Sequence, residues 1–239
     1  MHRNQDMPSK RYKNGFESRN GEERIPLKEA LAALAGFPKV KFDESVELAF
    51  RLGVDPKHSD QMVRGTVSLP HGSGKQVRVV AFVADGPVAD AARAAGADHV
   101  GLEELIKKVE GGWTDFDKAV ATPEAMKSGV AKLGRYLGPR NLMPTPKSGT
   151  VTEDLGQAVT EVKGGRVEFK VDKTSNLHVL IGKRSFSGEQ LFDNACVVVD
   201  AVLKAKPDAA KGIYVLNASI SASMSPSVKL DLKEMATLS

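Results

Sequence analysis

The chain has 239 residues, 41% of them hydrophobic and 27% charged, which excludes wholesale disorder and fits one or two folded domains. Its 34 lysines and arginines against 30 aspartates and glutamates leave a net charge of +4, a mild hint of a polyanionic partner that ordinary solubility explains as well. A single cysteine, Cys196, closes no intramolecular disulfide and points to a reducing compartment, and nothing approaches the roughly 18 apolar residues of a membrane span.

Residues 1–25 are polar and mixed in charge, without the pattern of a secretory signal or a transit peptide, and read as a flexible extension of a cytoplasmic protein. A short helix is expected from Pro26 to Ala35, with Leu27, Leu31 and Leu34 on one face. Ser45 to Leu52 alternates, with Val46, Leu48, Phe50 and Leu52 against Glu47 and Arg51, as a half-buried strand does. Val63 to Leu69 alternates in the same way. After Pro70-His71-Gly72-Ser73-Gly74 the texture changes. Val77 to Val83 is nearly continuous apolar sequence, the mark of a strand buried on both faces. An alanine-rich helix (88–95), a short strand (99–101), a helix (102–109), a strand (118–121) and a helix from Pro123 to Tyr136 follow. That order predicts a small parallel sheet flanked by helices.

A last helix (153–162) leads to Gly164-Gly165, where the pattern changes back. Arg166 to Val171 and Leu177 to Ile181 read as the two arms of a hairpin turning at 172–176. Gln190 to Leu203 is a long helix with an apolar face, and Ile213 to Ala222 and Ser227 to Leu232 are two further alternating runs. An α/β block therefore interrupts an α+β block. The expected division is a 1–25 extension, a discontinuous domain of 26–72 plus 164–239, and an inserted α/β domain of 73–163. Gly72, Gly74, Gly164 and Gly165 are the candidate hinge, since glycine permits the backbone changes a hinge needs.

Motifs for catalysis are missing. Gly72-Ser73-Gly74-Lys75 lacks the spacing of a nucleotide-binding loop and precedes a strand where such a loop opens a helix. The first strand of the α/β block ends at Ala84-Asp85-Gly86-Pro87 with no G-x-G-x-x-G, and a helix-capping role explains Asp85. No histidine has a partner at metal-ligand spacing, and Cys196 sits in an apolar helix as an inert thiol. The alternative reading, a nucleotide-dependent enzyme built on the α/β block, thus has no phosphate loop, acid pair or metal cluster behind it, and no cofactor is expected. Gly138 to Lys147 is either a rigid surface loop or a stiff platform presenting Arg140 and Lys147; composition does not choose. The dense serines of Ser219 to Ser225 suit an uncharged surface that hydrogen-bonds sugars and phosphates, or a solvated edge strand.

Five stretches, in order, resemble a known family: Lys41-Phe42-Asp43-Glu44-Ser45-Val46-Glu47, the run from Ser59 to Gly72, Leu137-Gly138-Pro139-Arg140-Asn141-Leu142-Met143-Pro144, Ala210-Lys211-Gly212, and Ser221-Ala222-Ser223-Met224. The chain is similar, from Pro26 to Leu232, to the large ribosomal subunit protein one family, of the mobile side stalk beside the transfer-RNA exit site. The resemblance implies an α+β RNA-binding domain made from both chain ends, an inserted three-layer, Rossmann-like α/β domain and a flexible hinge. It implies binding to a helical junction of large-subunit ribosomal RNA, within the rest of that subunit, and assistance in releasing deacylated transfer RNA from the exit site. It also implies repression of translation from the protein's own operon messenger RNA.

Carried onto this chain, the RNA face comprises Lys41, Phe42 and Glu47, then Lys173, Thr174 and His178, and finally Ser221, Ser223 and Met224. Lysines meet phosphates, serine hydroxyls meet ribose 2′-hydroxyls, and Phe42 and Met224 pack on sugar or base. The chain departs from the family at Ala222 and Ser223, where threonines are usual, at Asn217, and at Ser225 and Asn141, where glycine is usual. Asparagine tolerates left-handed angles, so the turn at Asn141 is expected to survive. Charge agrees with this division. Residues 1–72 carry 12 basic and 10 acidic side chains, 73–163 carry 12 of each, and 164–239 carry 10 and 8, so the whole excess lies on the two terminal segments.

Overall fold

The computed structural model describes residues 9–18 and 24–237. They form two compact units: one from the described residues up to Gly74 together with those from Val167 onward, the other Lys75–Arg166. An α+β unit drawn from both chain ends, with an α/β unit inserted, is the expected fold class. Before the insertion come α1 (Lys10–Ser18), α2 (Leu27–Gly36), β1 (Ser45–Leu52) and β2 (Arg64–Ser68). The insertion carries β3 (Val79–Phe82), α3 (Pro87–Ala94), β4 (His99–Gly101), α4 (Glu103–Glu110), β5 (Lys118–Ala121), α5 (Pro123–Ser128), α6 (Gly134–Leu137) and α7 (Leu155–Lys163). Then follow β6 (Arg166–Lys170), β7 (Asn176–Lys183), α8 (Gly188–Lys204), β8 (Val215–Ala222), β9 (Val228–Lys229) and α9 (Leu232–Thr237).

In the terminal unit, β7-β1-β8-β9 form an antiparallel sheet in that order. Its inward side chains, among them Leu48, Leu177, Ile181 and Ile220, share one core with Leu27 and Leu34 of α2 and Ala195, Val198 and Val202 of α8. Both helices read cleanly in sequence. Pro26 precedes the first turn of α2, and α8 opens on a capping box in which Ser187 and Gln190 each accept the other's backbone N–H. A second, two-stranded sheet pairs β2 with β6, where Phe169 packs directly over Gly65.

The inserted unit has a parallel sheet of order β4-β3-β5. Alternate residues of β3 feed two separate cores. Val80 and Phe82 join Leu105 and Val109 of α4 with Leu133 and Leu137, while Val79 and Ala81 join Ala89 and Ala92 of α3 with Leu155 and Val159 of α7. That division is why β3 has no polar residue, and it produces the three layers.

Several elements differ from expectation. The helix expected from Pro123 to Tyr136 is broken. Gly129, at φ 159°, leaves helical backbone, and a 3₁₀ turn (Val130–Leu133) and the short α6 follow α5. The hairpin expected at 166–181 does not exist, because β6 pairs with β2 and β7 with β1. The turn is real, but its Asp172 carboxylate accepts the Thr174 and Asn176 amides and re-aims the chain into another sheet. The last strand shrinks to Val228–Lys229 and gives way to α9. The supposed extension contains α1, whose Gly15 is buried and lies against Pro226 and Pro38; its remaining residues 1–8 and 19–23 lie outside the described residues. Asp85 caps nothing, since the N-cap of α3 is Gly86; it pairs with Arg93 at 3.2 Å.

Candidate nucleic-acid interface

The alternation that buries one face of the terminal sheet leaves the other face polar. The registers of β1 with β7 and β8 build cross-strand rows: Asn176–Arg51–Asn217, then His178–Ala49–Ser219, then Leu180–Glu47–Ser221. Glu47, Arg51 and His178 are exposed and the serines half-buried, while Ala218, Ile220 and Ala222 point into the core. Side chains from three strands thus meet on one surface although they are far apart in sequence.

One end of this face is closely bonded. The Ser223 hydroxyl accepts the Ser45 amide at 3.1 Å, the Ser223 amide donates to the Ser45 carbonyl at 3.0 Å, and Lys183 Nζ donates to the Ser45 hydroxyl at 2.9 Å. Glu44 is 1% exposed and accepts the Met224 amide at 3.0 Å through Oε1. Its other oxygen meets Arg184 Nη1 at 2.5 Å, and that guanidinium also donates to the carbonyls of Leu34, Ala35, Phe37 and Pro38 at the end of α2. A buried ion pair therefore ties the Met224 turn to α2. The two large apolar residues at this end, Phe42 and Met224, stay 56% and 50% exposed. Asp43 is engaged by the amide and hydroxyl of Ser185, so the loop presenting Lys41 and Phe42 is held on both sides of its tip.

The candidate residues are only partly brought together. Phe42, Glu47, Ser221, Ser223 and Met224 gather at one end with Lys41 just before them. His178 lies midway, opposite Ala49. Lys173 and Thr174 sit at the other end, before the Asn176–Arg51 pair and about 20 Å along the strand. Lys173 is exposed, but the Thr174 hydroxyl is committed to Asp172 at 2.8 Å and accepts from Asn176 Nδ2 at 2.9 Å. The amide of Asn176, then the Thr174 hydroxyl, hold the Asp172 carboxyl below its ordinary pKa.

Arg51, Asn176 and Lys229 also belong to this face and were not singled out in sequence; only the pairing register places them beside the serines. Glu44 and Arg184 were missed because a charged pair signals burial only once the fold shows it. Of the departures from the family pattern, Asn141 does adopt the left-handed angles (φ 55°, ψ 30°). Ser225 needs no glycine-like angle, and its hydroxyl accepts the Ala222 amide at 2.9 Å, closing the turn itself. At the seams, Gly72, Gly74 and Gly165 have φ of 70°, 70° and 100°, whereas Gly164 ends α7 in ordinary helical backbone. Asn194, fully buried in α8, accepts the His71 amide at 3.1 Å and donates to the carbonyls of Gly72 and Ile181 at 3.1 and 2.7 Å.

Elsewhere the chemistry is quiet. Among the described residues no cluster of His, Cys, Asp or Glu could hold a metal ion, and no helix is long and apolar enough to cross a membrane. Cys196 is half-buried, and burial raises its thiol pKa, which lowers its thiolate fraction. Arg140 bonds the Thr114 hydroxyl, so the 138–147 loop is braced on its own unit; the side chain of Lys147 lies outside the described residues.

A family model described as the ribosomal protein L1p/L10e family matches residues 31–226. The chain is 53% identical over 223 residues to the large ribosomal subunit protein uL1 of Cutibacterium acnes, covering 93% of this chain and 95% of that one. It is 51% identical over 229 residues to the uL1 of Solidesulfovibrio magneticus, covering 96% and 97%, and 54% identical over 213 residues to that of Beutenbergia cavernae, covering 89% and 88%.

Proposed function

The chain belongs to the ribosomal protein L1p/L10e family, a non-enzymatic family of the large ribosomal subunit, and from that premise we propose that the open face of its terminal sheet is the surface that binds large-subunit ribosomal RNA. The observation that carries this reading is the pairing of an uncharged hydroxyl row with two exposed apolar side chains. Ser221 and Ser223 offer donors and acceptors to riboses, Phe42 and Met224 offer surfaces to sugars and bases, and Lys41, Arg51, Lys173 and Lys229 offer charge to phosphates. Glu47, beside Ser221 at that end, accepts from base amines or 2′-hydroxyls and would repel a bare phosphate, which favours a defined RNA shape over any polyanion. The reading extends to release of deacylated transfer RNA from the exit site, with Gly72, Gly74, Gly164 and Gly165 as the hinge between the units, and to repression of the protein's own operon messenger RNA through the same face. Both extensions rest on the family resemblance.

The test is binding to a short RNA carrying the side-stalk junction, against an unrelated duplex, over a salt series. Met224→Ala and Phe42→Ala should each cost on the order of 1–3 kcal/mol, with affinity falling as salt rises. Equal affinity for junction and duplex would remove the ribosomal-RNA reading. A leader fragment of the operon messenger should compete with the junction and lose affinity in the same variants; failure to compete would remove the repression reading alone.

A further inference from the structure

We propose that α1 is a working part of the RNA interface: Arg11 and Tyr12 complete, with Ser223, Met224 and Ser225, a pocket that receives one nucleotide at the Met224 end of the sheet. This deepens the RNA-binding reading above and rests on it. The pocket has a volume of about 350 Å³ and is lined by Ser9, Arg11, Tyr12, Ser223, Met224 and Ser225, so one wall comes from the start of α1 with the residue before it and the other from the turn after β8. Ligand pockets start near 300 Å³, which allows a single extruded base or sugar but not a duplex end.

Three features of α1 fit this role. Its place is set by packing: an added Cβ on Gly15 would lie 3.2 Å from Pro226 Cδ and 3.7 Å from Pro38 Cδ, so the helix sits in close contact there and a side chain larger than a methyl group has no room without moving it. Its composition suits RNA, with Lys10, Arg11 and Lys13 against Glu17, and with Tyr12 and Phe16 stacked at a ring separation of 6.5 Å. A cation beside an aromatic ring is the usual equipment for gripping an unpaired nucleotide, the guanidinium on phosphate and the ring on base or sugar. Finally, α1 borders the face without closing it, since Met224 stays half exposed beside it. The Ser223 hydroxyl accepts the Ser45 amide and keeps a second lone pair, so it shapes the pocket floor together with the Ser225 turn and the apolar flank of Met224.

The experiment uses the full chain and the side-stalk junction RNA, with an unrelated duplex as control, and five variants. Arg11→Ala should weaken junction binding about tenfold and lower the salt slope by about one, while Tyr12→Ala weakens it by a similar factor with the slope unchanged. Gly15→Leu, which removes no charge but forces α1 off Pro226 and Pro38, should lose as much as Arg11→Ala. Lys28→Ala, the same charge change on α2 away from this pocket, should bind as wild type, and Met224→Ala reports the underlying site. If Met224→Ala weakens binding while Arg11→Ala, Tyr12→Ala and Gly15→Leu do not, the pocket is overturned and the RNA face stands. If Arg11→Ala weakens binding but Gly15→Leu does not, Arg11 acts as a tethered charge and the placed helix is overturned. If the wild type does not prefer the junction, both readings fall. Far-UV circular dichroism and melting of each variant separate loss of binding from loss of fold.

Discussion

Glu44→Gln isolates the buried ion pair that anchors the Met224 turn. Glu44 and Arg184 have side chains 1% and 7% exposed and meet at 2.5 Å. Glutamine keeps the volume, but with its carbonyl on the Met224 amide its NH2 group faces the guanidinium donor to donor, so the buried guanidinium loses both its counter-charge and its acceptor. Breaking a buried pair costs about 3–5 kcal/mol, because the surviving charge stays desolvated. Here the lower end applies, about 3 kcal/mol, since four carbonyls at the end of α2 still receive the guanidinium. For a unit of this size about 2–4 °C is lost per kcal/mol, so the melting midpoint of the terminal unit should fall by about 9 °C. Urea unfolding followed by far-UV circular dichroism measures the loss, and fluorescence of Trp113, the single tryptophan, follows the inserted unit separately. Replacing both partners by methionine should recover much of the stability, because the desolvated charges are then gone. A loss below about 1 kcal/mol for Glu44→Gln, or a loss confined to the Trp113 transition, would refute the argument that the pair is energetically buried.

Asn194→Leu orphans the His71 amide and the Gly72 and Ile181 carbonyls, and should destabilise the terminal unit by about 3 kcal/mol in urea titration. Gly65→Ala puts a methyl group 2.7 Å from Phe169 Cζ, so about 1–3 kcal/mol should be lost to overpacking, checked by the same titration; an unchanged midpoint would mean the ring moves freely. In the inserted unit, Lys75 Nζ and then the Arg78 amide pull the Asp117 carboxyl from its ordinary 3.8 to about 2. A depressed carboxylate contributes stability above its unfolded pKa and loses it as pH falls through the folded one. Asp117→Asn should therefore remove on the order of 1 kcal/mol at neutral pH and flatten acid unfolding between roughly pH 4 and 2, read by Trp113 fluorescence. An identical acid transition in the variant would exclude Asp117 as its source.

Local pattern carries a long way in this chain. The strands of β1 and β3 were legible because their side chains meet one environment per face: alternation in β1 for one buried face, continuous apolar sequence in β3 for two. The serine row of β8 was legible for the same reason, since hydroxyls on every second residue cannot fill a core. The false hairpin at 166–181 shows where such reading stops. Alternation and a tight Asx turn specify two strands and a reversal, but which strand each arm pairs with is decided by long-range packing, here Phe169 on Gly65 for β6 and the β1 register for β7. Gly129 misled in the opposite way, sitting inside a run of helical spacing that tolerates one glycine, while the backbone uses it to end α5.

The amino-acid sequence by itself determined the chemical character of this protein. It carries alternating hydroxyls in Ser219 to Ser225, shows no phosphate-loop, dinucleotide or metal-ligand motif, and keeps its charge excess on the two terminal segments. Only the tertiary structure decided where those groups stand. Antiparallel registers set Glu47 beside Ser221, a buried Glu44–Arg184 pair holds the Met224 turn, and α1, which composition suggested was a loose tail, lies along the same edge. The physical reason is range. Propensity and periodicity act over a few residues, whereas the partners of each strand, the burial of each charge and the seat of a polar helix depend on contacts between residues more than 200 positions apart, as between Gly15 and Pro226.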